Sequence, residues 1–162
     1  MNGIKIIIMV IGFALTYCGL AAEENNEPIS VEIKAYKVTI SESEDGEELL
    51  TRVDEVKPGE VIEYQAVYTN TTGKDIVNIL ATVPIPTNTT YIDESARPGN
   101  ASASLDGVKF DTIPLKQKVT SEDGKVEERL VPPADYRFTR WTIKKLGAGK
   151  EKVFKVRVKI NI

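Results

Sequence analysis

Carboxylates, lysines, hydroxyls and a few aromatic rings are the side chains here that could do chemistry, because the 162 residues include no histidine and one cysteine. Without histidine, the usual proton shuttle near neutral pH and the commonest nitrogen ligand for a metal are both missing. The cysteine, Cys18, lies in an N-terminal apolar segment. A chain cut after Ala21 or Ala22 would carry no thiol, which excludes a disulfide framework, a cysteine nucleophile and a thiolate zinc site. Serine and lysine nucleophiles need an adjacent partner, and neither Ser-x-x-Lys nor Gly-x-Ser-x-Gly occurs. A glycosidase-like carboxylate pair could be drawn from the 24 acidic residues, but most stand in turn-like stretches where hydration explains them. The residues therefore give no catalytic group, no cofactor-binding group and no metal ligand, and the chain reads as a non-enzyme.

Three other features invite a binding role. The acids of SESEDGEELL surround Gly46, yet the alternate oxygen ligands and distant glutamate of a calcium loop are absent, and Asp45-Gly46 reads as a solvated hairpin turn. Tyr91, Tyr136, Phe138 and Trp141 could stack on sugar rings if they formed an exposed platform, which makes a carbohydrate-binding module the second functional reading. At this spacing, core packing is the better explanation of them. Asn-x-Ser/Thr sequons at Asn70, Asn88 and Asn100 predict surface loops.

The elements that would position these groups are strands. With 41% hydrophobic and 28% charged residues, the chain can bury a core of its own as one domain. A net charge of −3 with dispersed lysines argues against nucleic acid as a partner. Acids dominate from Glu23 to Glu60 and lysines from Lys144 to Lys159, read as two solvated regions. Residues 1–22 combine Lys5, an apolar run from Ile6 to Leu15 and the small residues Gly19, Ala21 and Ala22, the pattern of a signal peptide. That run is shorter than the roughly 20 residues that span a bilayer. The sequence therefore predicts export to the periplasm or beyond, with no membrane span after cleavage. The alternative is a lipid anchor at Cys18, although Tyr17 stands where a small residue is usual.

Residues 23–55 are expected to hold N-terminal strands and the acidic hairpin, and 56–162 a β-sandwich domain. The first strand alternates through Ile29, Val31, Ile33 and Ala35, then changes phase to Tyr36, Val38 and Ile40, which predicts a bulge or a switch of sheet near Ala35 and Tyr36. After the Pro58-Gly59 turn, Ile62, Tyr64, Ala66 and Tyr68 should face the core and Val61, Glu63, Gln65, Val67 and Thr69 the outside. The next strand alternates Ile79, Ala81, Val83 and Ile85 against Asn78, Leu80, Thr82 and Pro84. Tyr136 and Phe138 are expected on one face of a later strand, with Trp141 and Ile143 on the other and Trp141 in the core. Phe154, Val156, Val158 and Ile160 alternate with Lys155, Arg157 and Lys159, a half-buried strand whose charges would discourage edge pairing.

The segment PGEVIEYQAVYTNTTGKDIVNILATVPIPTNTTYIDESA resembles the conserved bacterial surface repeat called domain of unknown function 11, in its Pro-Gly turn, Thr-Asn strand end, proline-terminated strand and Thr-Tyr step. SLDGVKFDTIP, PADYRFTRWTI and LGAGKEKVFKVRVKI resemble that family's later hairpin, aromatic strand and closing strand. The resemblance covers roughly Val56 to Ile160 and holds one copy of the repeat. It implies an exported immunoglobulin-like sandwich acting as a spacer or adhesive module, with no catalytic residue to carry over. Alternating strands separated by turn chemistry, with no amphipathic helix after the signal, lead independently to the same class. The expectation is an all-β, immunoglobulin-like β-sandwich of about seven to nine mainly antiparallel strands. Its role would be structural or in protein interaction at the cell envelope, with an envelope or surface protein, or a glycan, as partner. Any functional surface should lie on the face of Glu63 and Gln65 or in the loops near Asn70, Asn88 and Asn100.

Overall fold

In the computed structural model, which describes residues 27–41 and 46–162, the chain is an all-β sandwich of the immunoglobulin-like class. The expected signal peptide at 1–22, Cys18 within it, and residues 42–45 of the expected acidic hairpin lie outside the described residues. The strands are β1 (Ile29–Ile40), β2 (Glu48–Arg52), β3 (Val61–Asn70), β4 (Ile76–Pro84), β5 (Thr89–Tyr91), β6 (Ser102–Ser104), β7 (Asp111–Thr112), β8 (Lys116–Thr120), β9 (Val126–Leu130), β10 (Phe138–Leu146) and β11 (Glu151–Ile160). One sheet has the order β2-β1-β3-β11-β5, the other β4-β10-β6-β7, and β8 and β9 form a separate ribbon. Every recorded pairing is antiparallel.

Period-two alternation builds the core as expected. Ile62, Ala66 and Tyr68 of β3 and Phe154, Val156, Val158 and Ile160 of β11 face Ala81 and Val83 of β4 and Trp141 and Ile143 of β10. Phe154 is the hub. Trp141 leans on it with ring centres 4.9 Å apart, and Tyr68 meets it edge-on at 5.7 Å. The Trp141 indole N–H donates to the Pro98 carbonyl at 2.7 Å, so its polar atom is satisfied inside.

Two of the connections that cross between the sheets, from β3 to β4 and from β10 to β11, are tied together by one side chain. Asn70, fully buried at the end of β3, donates through Nδ2 to the carbonyls of Lys74, Leu146 and Gly147 at 2.7, 3.0 and 3.0 Å. Its Oδ1 accepts from the Thr72 N–H and hydroxyl. An asparagine supplies both donors and an acceptor from one planar group, which serine or threonine could not do here.

The structure corrects four expectations. β1 contains no bulge and does not change sheet: its register with β3 runs unbroken from Ile29 opposite Asn70 to Val38 opposite Val61. The phase change near Ala35 instead marks where β2 begins to pair, from Tyr36 onward, and Val31 and Ile33 are 47% and 43% exposed. β11 is not an edge strand but lies between β3 and β5, its lysines and arginine facing outward from an interior position. Tyr136 does not share a strand face with Phe138: it precedes β10, ends the short 3₁₀ turn Pro133–Asp135, and is buried. Asn70 is a core residue rather than part of a surface loop.

Candidate functional site

The outer face of β3, where function was expected, carries an ion network. Glu63 is only 4% exposed although it points away from the core. Cross-strand neighbours explain this, because Tyr36 of β1 and Arg157 of β11 stand directly opposite it. Arg157 donates from Nε to Glu63 at 2.8 Å, and from Nη1 and Nη2 to the two oxygens of Glu48 at 2.8 and 2.7 Å. Gln65 donates to Glu63 at 2.6 Å, and the Lys155 ammonium lies 3.7 Å from the same oxygen. The bidentate hydrogen bond and the charge of Arg157 hold the Glu48 carboxyl below its ordinary value of 4.5. Glu48 belongs to the acid-rich N-terminal region and Arg157 to the lysine-rich C-terminal one, so the two regions read as separately solvated meet across this sheet.

Beside the network, Ile92–Ser95 and Arg97 wall a cleft of about 410 Å³. Its hydroxyl is committed to the backbone: Ser95 Oγ accepts from the Arg157 N–H at 3.1 Å and donates to the Arg157 carbonyl at 3.3 Å. Arg97 spends Nη1 on the carbonyls of Glu94 and Ala96. Among the described residues, no three Asp, Glu, His or Cys side chains converge as a group that could hold a metal. The chemistry open to this arrangement is ion pairing and strand fastening. No hydroxyl in it is polarised by a base.

The four aromatic residues weighed for sugar stacking do not form a platform. Tyr91 and Tyr136 are stacked on each other inside, with centres 5.5 Å apart, and Trp141 is in the core. The Tyr136 hydroxyl accepts from the Leu115 N–H at 2.8 Å. Phe138 is half-buried beneath the turn at Gly107, where φ is +77° and an added Cβ would sit 2.9 Å from the ring. Phe110 covers the Arg140 guanidinium at 3.4 Å, and Arg140 Nε donates to Thr82 Oγ1. Of the sequon asparagines, Asn88 and Asn100 are exposed and Asn70 is inside.

Sequence reasoning missed two devices. The Tyr68 hydroxyl accepts from the Thr82 N–H and donates to the Thr82 carbonyl, both at 2.9 Å, so a core side chain closes part of the outer edge of β4. A tyrosine on an otherwise aliphatic core face was the available signal, since a buried phenol needs a partner. The Glu63–Arg157 pair was signalled only by a lone acid within an alternating strand. The ribbon β8–β9 stands away from the sandwich with most of its residues exposed. Clefts of about 700 and 690 Å³ flank its base, one lined by Leu105, Lys109 and Asp111, the other by Tyr91, Ala96 and Ile113. Comparison with protein-family models, curated proteins and solved structures found no match.

Proposed function

We propose that this chain is a non-catalytic, exported β-sandwich module with a structural or protein-interaction role in the bacterial cell envelope. The observation that carries this reading is the commitment of polar groups on the described outer face: Glu48, Glu63, Arg157 and Ser95 bond to one another and to the backbone, holding strands together. The signal-like residues 1–22 and the resemblance to a bacterial surface repeat supply the compartment. Sugar stacking is the less supported reading, because Tyr136 and Trp141 are buried and Phe138 is half-buried.

The test is fractionation with in-cell crosslinking. The protein is expected in the envelope or medium, crosslinked to a macromolecule there. Recovery from the cytosol as an uncleaved chain would overturn the compartment, and absence of any crosslinked species in envelope extracts would overturn the role.

A further inference from the structure

The strand β9, Val126-Glu127-Glu128-Arg129-Leu130, is an open edge whose sequence is complementary to itself when run antiparallel. We infer that it pairs with β9 of a second copy of this chain, joining two ribbons into one four-stranded sheet about a twofold axis through Glu128. The inference supplies one partner for the interaction role proposed above and rests on that role, but not on export.

The hydrogen-bond ladder sets the register. The Ser121 N–H donates to the Lys125 carbonyl at the turn, and the Val131 N–H donates to the Leu115 carbonyl at the base. Between them, bonded and non-bonded pairs alternate, so Glu127 and Arg129 spend their backbone groups on β8 while Val126, Glu128 and Leu130 turn theirs to the open side. Symmetric pairing about Glu128 then joins Val126 to Leu130 of the other copy through backbone bonds, twice, and Glu128 to its own counterpart. Glu127 falls opposite Arg129 of the other copy, also twice, in the non-hydrogen-bonded position where side chains come closest.

Exposure and charge agree with this register. Val126 and Leu130 are 64% and 63% exposed, and the pairing sets each against the other. The Arg129–Glu127 pair within one strand is loose at 3.4 Å and open to exchange for a partner across the axis. The central Glu128 pair is offset by Lys118 directly opposite on β8 and by Lys116, 3.9 Å away. A two-stranded ribbon is marginal by itself, and two more strands relieve that.

Three other edges fit less well. β8 paired about Lys118 would set lysine against lysine. On β4, Thr82 is already engaged by Tyr68, and Pro84 has no N–H. β2 would bring Glu48 to Arg52 of another copy, but both oxygens of Glu48 are held by Arg157.

Sedimentation velocity on the purified protein tests this. An interface this short falls in the weak class, below about 1,200 Å², so a monomer–dimer shift is expected between about 10 μM and 1 mM. Glu127→Arg should raise the dissociation constant at least about tenfold by setting arginine against arginine. The double exchange, Glu127→Arg with Arg129→Glu, should restore it. Trp141 near-ultraviolet dichroism verifies that each variant is folded. A protein monomeric at about 1 mM, a dimer indifferent to Glu127→Arg, or a dimer abolished instead by Leu50→Lys on β2 would overturn the inference. A monomer that still crosslinks to an envelope macromolecule would sink this pairing and leave the proposed function standing.

Discussion

Asn70 shows how much one side chain can carry. Three carbonyls from two different crossings converge on its amide nitrogen in a site with no exposure. Asn70→Ala should cost about 3 kcal/mol, read as a lower urea midpoint followed by Trp141 fluorescence. A change under about 0.5 kcal/mol would show that the carbonyls find other donors. Glu48 gives a pH-dependent counterpart. Its carboxyl titrates below 4.5 in the fold because Arg157 favours the ionised form. A depressed carboxyl stabilises the fold above its unfolded value and loses that contribution as pH falls through its folded value. The stability gap between the protein and Glu48→Gln should therefore be full at pH 7 and close progressively below pH 4.5. A gap unchanged down to pH 2 would remove the ion pair as its source.

At the scale of elements, the turn joining β6 to β7 depends on a residue without a Cβ. Gly107 combines a left-handed φ of +77° with close approach to the Phe138 ring. Gly107→Ala should destabilise by about 1–3 kcal/mol and increase amide exchange in Ser102–Ser104. Unaltered exchange there would show that the ring swings away. The strands themselves were legible in the sequence, since Ile62 through Tyr68, Ile79 through Val83 and Phe154 through Ile160 alternate with a period of two and one wet side. Pairing was not. The interior position of β11 is set by its pairing with both β3 and β5, and a residue's hydrogen-bonding role at a strand end leaves no periodic trace. The burial of Glu63 on the outer face was not legible either, because alternation reports which side a residue faces, not what covers that side.

For the whole molecule, the division is between a packed sandwich and a ribbon attached through a narrow base. Leu115 and Val131 are buried and bonded to each other, whereas most of the chain between them is exposed. Replacing Lys116–Leu130 with Asn-Gly should leave the melting temperature within about 3 °C and the Trp141 dichroism unchanged. A fall of more than about 10 °C would make the ribbon part of the fold rather than an appendage. The lack of histidine and the signal-like pattern of residues 1–22 are readable from composition and position alone. The open edge of β9 is not, because it depends on which strands remain unpaired after folding.

β3 lies between β1 and β11, and both run antiparallel to it. The N-terminal end of β1 at Ile29 is therefore opposite Asn70, while the C-terminal end of β11 at Lys159 is opposite Val61, at the other end of the same strand. Tension applied through those two ends would pull the flanking strands in opposite directions along their length. The ladders would be loaded in shear, all rungs together, rather than peeled one rung at a time. A mechanical load entering at one end of the sandwich and leaving at the other would thus meet the geometry in which a sheet yields last.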